Sequence, residues 1–164
     1  MNSKDKLANY EQEFCKARDN YIEKYSEEFV NFVKEQIFDK YSFIKSFSWT
    51  QYTPYFNDGS ECQFEVNGIN KINGVEIDFS EIYRNSFVET YVLRKITEND
   101  SKYTLVTNEN FNQTYKNCMD DLHSIVSDLP KEVALGKWGD HVEVNVGIDV
   151  NNNVIITIEN YEHD

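Results

Sequence analysis

The feature that most constrains this chain is a change of hydrophobic period near Phe43. Before it, Leu7, Tyr10, Phe14, Ala17, Tyr21, Tyr25, Phe29 and Phe32 recur at steps of three and four, which places them on one stripe of a helix. The stripe runs out at Gln36. No proline interrupts residues 4–40, and mixed charges such as Glu23/Lys24 and Lys34/Glu35 occupy the remaining faces. The spacing predicts a helix over residues 4–40, in one or two parts. Such a helix must cover its stripe, across a sheet or against another chain, so a homodimer through the N-terminal helix is one expectation.

After Phe43 the period is two. Phe43–Thr53 and Glu61–Asn67 read as strands, and the "FNDGS" between them reads as a hairpin turn. Cys62, Phe64 and Val66 then share one face. Phe47, Trp49, Gln51 and Thr53 share one face of the first strand, leaving Ser48, Thr50 and Tyr52 on the wetter side. Beyond a loop holding Gly68 and Gly74, Val75–Phe79 reads as a short strand. "SFVETYVLRKIT" and "YTLVT" read as strands flanking a turn at "ENDSK".

Phe111, Tyr115, Cys118, Met119, Leu122, Ile125, Val126 and Leu129 form a second helical stripe, capped by Asn108 or Asn110 and closed near Pro130. In "HVEVNVGIDVNNNVIITIENYEH", alternating valines and isoleucines predict a hairpin with its turn at Asn151–Asn153. That register puts Val146 opposite Ile158 and His141 opposite His163. The fold class is therefore α+β: a long N-terminal helix packed on an antiparallel sheet, a second helix and a C-terminal β-hairpin, in a single domain over residues 1–164.

Charge narrows the function. The net charge is −13, and residues 46–164 carry −12 of it. Such a surface repels duplex nucleic acid and anionic membranes, and suits an encounter with a basic partner. No run is long and apolar enough for a membrane span, and the first residues have no apolar leader core; a cytoplasmic location is the expectation. Cys15, Cys62 and Cys118 are odd in number and widely spaced, as in a protein with reduced thiols.

Motifs for chemistry are sparse. The chain contains no G-x-S-x-G, P-loop, G-x-G-x-x-G, C-x-x-C or H-E-x-x-H pattern. No catalytic residue is assigned and no cofactor is expected. His141 and His163, with Asp140, Glu162 and Asp164 nearby, could hold a transition metal if the register above holds, which keeps a metal-dependent hydrolase as a minor alternative. His123 and Asp120 read as a surface ion pair. The densest cluster is "SWTQYTPYFNDGSECQF". Trp49, Tyr52 and Tyr55 offer flat π-faces, and Gln51 and Asn57 offer amides for a base edge. Arg94 is a candidate cation for a phosphate.

Three blocks carry a resemblance. "WTQYTPYFNDG" (Trp49–Gly59) with Cys62 and Phe64, then "GDHVEV" (Gly139–Val144) and the terminal "YEHD" (Tyr161–Asp164), resemble a group of small uncharacterised bacteriophage-type proteins. The resemblance implies a context, a phage protein in the cytoplasm of a bacterial host that acts by binding a host or defence component. It carries over no residue role. Two readings follow. One is a non-enzymatic accessory or anti-defence protein that sequesters a small nucleotide-like ligand. The other is an acidic inhibitor that occupies a basic or nucleic-acid-binding host protein through Asp120, Asp121, Asp128 and Glu132.

Overall fold

The computed structural model describes residues 3–55, 59, 61–77, 91–95, 103–107, 109 and 111–162. Helix α1 (Ser3–Val33) runs on through a π-helical turn at Lys34–Phe38. Five strands, β1 (Ser46–Tyr52), β2 (Glu65–Ile72), β3 (Val75–Glu76), β6 (Val142–Ile148) and β7 (Val154–Asn160), form one antiparallel sheet in the order β3-β2-β1-β6-β7. Strands β4 (Tyr91–Lys95) and β5 (Tyr103–Thr107) pair only with each other. Helices α2 (Gln113–Ser127) and α3 (Lys131–Trp138) separate β5 from β6. The α+β class and the long first helix are as the periodicity predicts.

The π turn has a packing reason. One extra residue in the turn, closed by Asp39 N–H on Lys34 C=O at 2.9 Å, lets Val33, Ile37 and Phe38 all face the core. The chain then drops through the buried Tyr41 and Ile44 into β1. There Lys40 Nζ and the Tyr41 hydroxyl both donate to Asp121 Oδ2 at 2.6 Å, tying this corner to α2.

Strand β1 is the middle of the sheet, and residues 47–51 are all buried. On its inner face Phe47 and Trp49 meet Val144 and Val146 of β6 and Ile69 and Ile72 of β2. Trp49 sits between Phe47 (6.2 Å), Phe29 (6.2 Å) and Trp138 (5.4 Å), the last edge-to-face, as ring quadrupoles prefer. The outer face departs from expectation. Ser48 and Thr50 are 1% and 6% exposed rather than wet, because a buried polar network lies there.

Three local readings are corrected. The stretch after Tyr52 is no tight hairpin: β2 begins at Glu65, paired with Tyr52, so a twelve-residue connection intervenes and Cys62 and Phe64 precede the strand. The tight turn is one pair later, at Asn73-Gly74 between β2 and β3, where both residues hold positive φ (51° and 76°). Asn73 also earns its place by side-chain bonding: its Oδ1 accepts from Lys45 N–H (2.6 Å) and its Nδ2 donates to Phe43 C=O (2.9 Å). The second helix is capped by Asn112, whose side chain accepts from Tyr115 N–H at 3.0 Å, rather than by Asn108 or Asn110. Pro130 does not merely stop it but starts α3.

The third correction is the C-terminal register. Val146 faces Ile156, and Val144 faces Ile158. Asp149 Oδ1 accepts from the N–H groups of Asn151 and Asn153 at 2.8 Å, and Asn152 takes the left-handed conformation (φ 62°). The three-residue loop is thus Val150–Asn152, one position earlier than expected, which slips the pairing by two. A slip of two keeps each side chain on its face. Val150 leaves the apolar row for the loop tip, where it is fully exposed.

Gln51 is a polar side chain on the inner face of β1, at 0% exposure. Its Nε2 donates to Ala134 C=O (3.0 Å) and Gly139 C=O (2.6 Å), and its Oε1 accepts from Trp49 Nε1 (3.1 Å). Gln51→Leu keeps the volume and strands three buried partners, so it should destabilise the protein by about 2–4 kcal/mol. A urea unfolding midpoint unchanged from wild type would contradict that role.

Candidate binding surface

Two reversals of the backbone build the surface at the end of the sheet. Gly139 closes α3 with φ 95°, and two residues later His141 adopts φ 54°, so the chain turns from helix into β6 within three residues. Between them, Asp140 clamps the segment leaving β1: Oδ1 accepts from Thr53 N–H (2.8 Å) and His141 N–H (2.9 Å), and Oδ2 from the Thr53 hydroxyl (2.8 Å). Burial pushes the Asp140 carboxyl up, but the bonds from Thr53 and His141 outweigh it and hold it below the usual carboxylate value.

The clamp aligns four rings. Tyr55 lies parallel on His141, with centroids 4.5 Å apart and planes 8° apart. His141 is followed by Tyr52 at 6.5 Å and 22°, and Tyr52 by Tyr161 at 5.7 Å and 29°. Tyr161 is placed by its N–H, which donates to His141 C=O at 2.8 Å. Tyr52, His141 and Tyr161 are half-buried. Tyr55 is 69% exposed. The result is a ladder of aromatic faces beside the Asp140 clamp, with Tyr55 its most exposed ring.

The candidate residues divide accordingly. Tyr52 and Tyr55 come together on the ladder. Trp49 and Gln51 do not join them: both are fully buried and hydrogen-bonded to each other, so neither offers a face or an amide to a ligand. Asn57 and His163 lie outside the described residues. Arg94 lies on β4 opposite Thr104, in the separate two-stranded sheet, and its side chain is outside the described structure. His141 and Tyr161 join the ladder as additions, and His141 faces Tyr161, whose N–H donates to its carbonyl. Among the described residues no group of three His, Cys, Asp or Glu side chains is placed to hold a metal.

Other reactive groups are accounted for. Asp120 pairs with Lys116 (2.7 Å) rather than with His123. Burial pushes the Cys118 thiol up to about 12, which keeps it protonated and inert. Two clefts of about 350 and 300 Å³ flank α1, one against α3 and β7 and one against α2, and no ladder residue lines either.

On the outer face of the sheet, Glu143 is 7% exposed. Its Oε1 accepts from Ser48 Oγ (2.7 Å) and Asn70 Nδ2 (3.1 Å), and its Oε2 from Lys71 Nζ (2.8 Å). The strand periodicity alone did not single it out. The signal was there in the cross-strand row Lys71–Ser48–Asn145 beside Thr50–Glu143, polar positions on three central strands. No known protein family matches the chain, and no curated protein or solved structure is significantly similar to it. Among the described residues, no helix is long and apolar enough to cross a membrane.

Burial pushes the Glu143 carboxyl up, and the bonds from Lys71, Ser48 and Asn70 together bring it below its ordinary 4.5. A carboxyl depressed in the folded state stabilises it fully above the unfolded value, and that contribution fades as pH falls through the folded value. Stability should therefore drop below pH 4.5 in wild type and drop less steeply in Glu143→Gln, measured as urea midpoints along a pH series. Parallel wild-type and variant curves would remove Glu143 from the explanation.

Proposed function

We propose that this chain is a non-enzymatic binding protein that captures a small ligand through a flat, nucleobase-like ring stacked on the Tyr55 end of the aromatic ladder. The observation that carries this reading is the parallel Tyr55–His141 pair, with Tyr55 exposed on a clamped backbone. Holding the rings in place beforehand lowers the ordering cost of stacking, and a base on an aromatic face contributes about 1–3 kcal/mol. Asp140 and a net charge of −13 favour a base or nucleoside over a ligand rich in phosphates. In the phage-type setting that the sequence resemblance implies, such a protein acts by sequestration, withdrawing the ligand from a host or defence component.

The acidic-inhibitor reading is weaker on one specific ground. Asp120 and Asp121, two of its four carboxylates, already serve Lys116 and the Lys40/Tyr41 corner within the chain. Neutralising them would disturb the fold before it informed on a partner.

Ligand binding to the native state raises its melting temperature, by an amount equivalent to about 2.7 kcal/mol at a hundredfold excess over Kd. A thermal-shift panel of nucleobases, nucleosides, and mono-, di- and cyclic nucleotides should yield at least one stabilising compound. Tyr55→Ala, at an exposed position, should abolish that shift while leaving the ligand-free melting temperature within a degree or two of wild type. A flat panel, or a shift that survives Tyr55→Ala, would overturn the reading.

A further inference from the structure

The N-terminal half of α1 holds an apolar seam that none of the described residues covers. Every residue from Ser3 to Tyr21 is exposed except the half-buried Cys15. Within that span Leu7, Tyr10, Phe14 and Tyr21 are 69%, 65%, 67% and 51% exposed. The buried face of the helix begins only at Ile22 and continues through Ser26, Phe29 and Val33. At 100° per residue those positions lie nearly a third of a turn from the seam, so the body of the protein is attached beside the seam and leaves it open.

The spacing of the seam identifies its occupant. Leu7, Tyr10, Phe14, Ala17 and Tyr21 step by three, four, three and four, which is the seven-residue repeat of two helices wound together. A stripe made only to rest on a sheet follows the 3.6-residue helical period and is wider. The flanking charges also match a second copy. With two copies parallel and in register, Lys6 of one lies opposite Glu11 of the other, and Glu13 opposite Arg18; Arg18 holds Asp19 through Nε and Nη2 and has further N–H groups for this. Antiparallel registers with equally matched charges either put Lys24 opposite Leu7 in the seam or pair Leu7 with Tyr10 and leave Phe14 opposite Ser3. Four large side chains from each copy would bury on the order of 1,000 Å² in total, at the lower bound for a specific interface.

We propose that two copies of this chain associate through a parallel coiled coil formed by residues 3–21 of α1. The seam explains why a helix whose first five turns stand exposed carries aromatic residues there. An isolated helix of that length is marginal in water, and pairing supplies what the body does not.

The test is sedimentation equilibrium of the full chain over about 1–100 μM protomer, because the mass of an associating protein depends on its concentration. Wild type should approach twice 19.4 kDa. Phe14→Glu, exposed on its own chain, should remain at 19.4 kDa while keeping the wild-type near-ultraviolet circular dichroism of the Trp49/Trp138 core. Lys6→Glu should weaken association about tenfold, and adding Glu11→Lys should restore it, since the double reversal re-forms the parallel pair and would create two repulsions in the antiparallel one. A wild-type mass of 19.4 kDa throughout overturns the proposal, whether or not another protein then binds the stripe. So does a dimer that survives Phe14→Glu, and so does failure of the double reversal to restore association. None of these outcomes touches the aromatic ladder, so the ligand reading stands or falls separately.

Discussion

The buried amide of Gln51 joins the parts of this protein that matter most to one another. It sits on the central strand, with one side on the indole of Trp49 and the other on the carbonyls of Ala134 and Gly139. Through those bonds the sheet, the short third helix and the turn into β6 share a single geometry. The turn is the segment that sets Asp140 and His141, and hence the whole ladder. A buried amide this fully satisfied is directional where hydrophobic contact is not. The aromatic cluster of Phe29, Phe47, Trp49 and Trp138 sits within the apolar core, and the amide decides how the layers are aligned.

The outer face of the central strands is polar, and yet Ser48, Thr50 and Glu143 are buried there. Glu143, Ser48, Asn70 and Lys71 form a closed network across three strands. Removing Glu143 as a partner would leave Lys71 with a charge beside buried groups, so the network behaves as a unit. Three residues earlier, at the entry to β6, the Asp140 clamp does for the backbone what the Glu143 network does for the side chains. Both hold strand ends in register with charge-assisted hydrogen bonds. The ladder rings rest on that register: a different pairing of β6 with β7 would bring another residue than Tyr161 beside His141.

The long first helix has two halves with different physical logic. Its C-terminal half is paid for by the core, through Phe29, Val33, Ile37 and Phe38. Its N-terminal half has apolar positions at heptad spacing and no cover among the described residues. Nothing in the propensity of these residues distinguishes the halves; Tyr10 and Tyr25 would each be read as core. Only the point where α3 crosses, near Ile22 and Gly136, separates them.

Much of the architecture was legible in the amino-acid order, because hydrophobic periodicity depends only on local helix and strand geometry. The N-terminal helix, the second helical stripe, the C-terminal hairpin and the α+β class all follow from it. What it could not determine were quantities set by partners distant in sequence. The two strands flanking "FNDGS" do pair, but across a twelve-residue connection, and the tight turn lies instead at Asn73-Gly74. The slip of two at the C-terminus came from the Asp149 carboxylate capping its own loop, which face alternation cannot detect because both registers keep valines on one side. Trp49 and Gln51 looked like ligand groups because composition records residue type and not depth. The tertiary structure buried them and set Tyr55, His141, Tyr52 and Tyr161 in a row instead, since stacking requires atoms from β1, the α3–β6 turn and the residue after β7 to meet, and that meeting is decided by long-range packing alone.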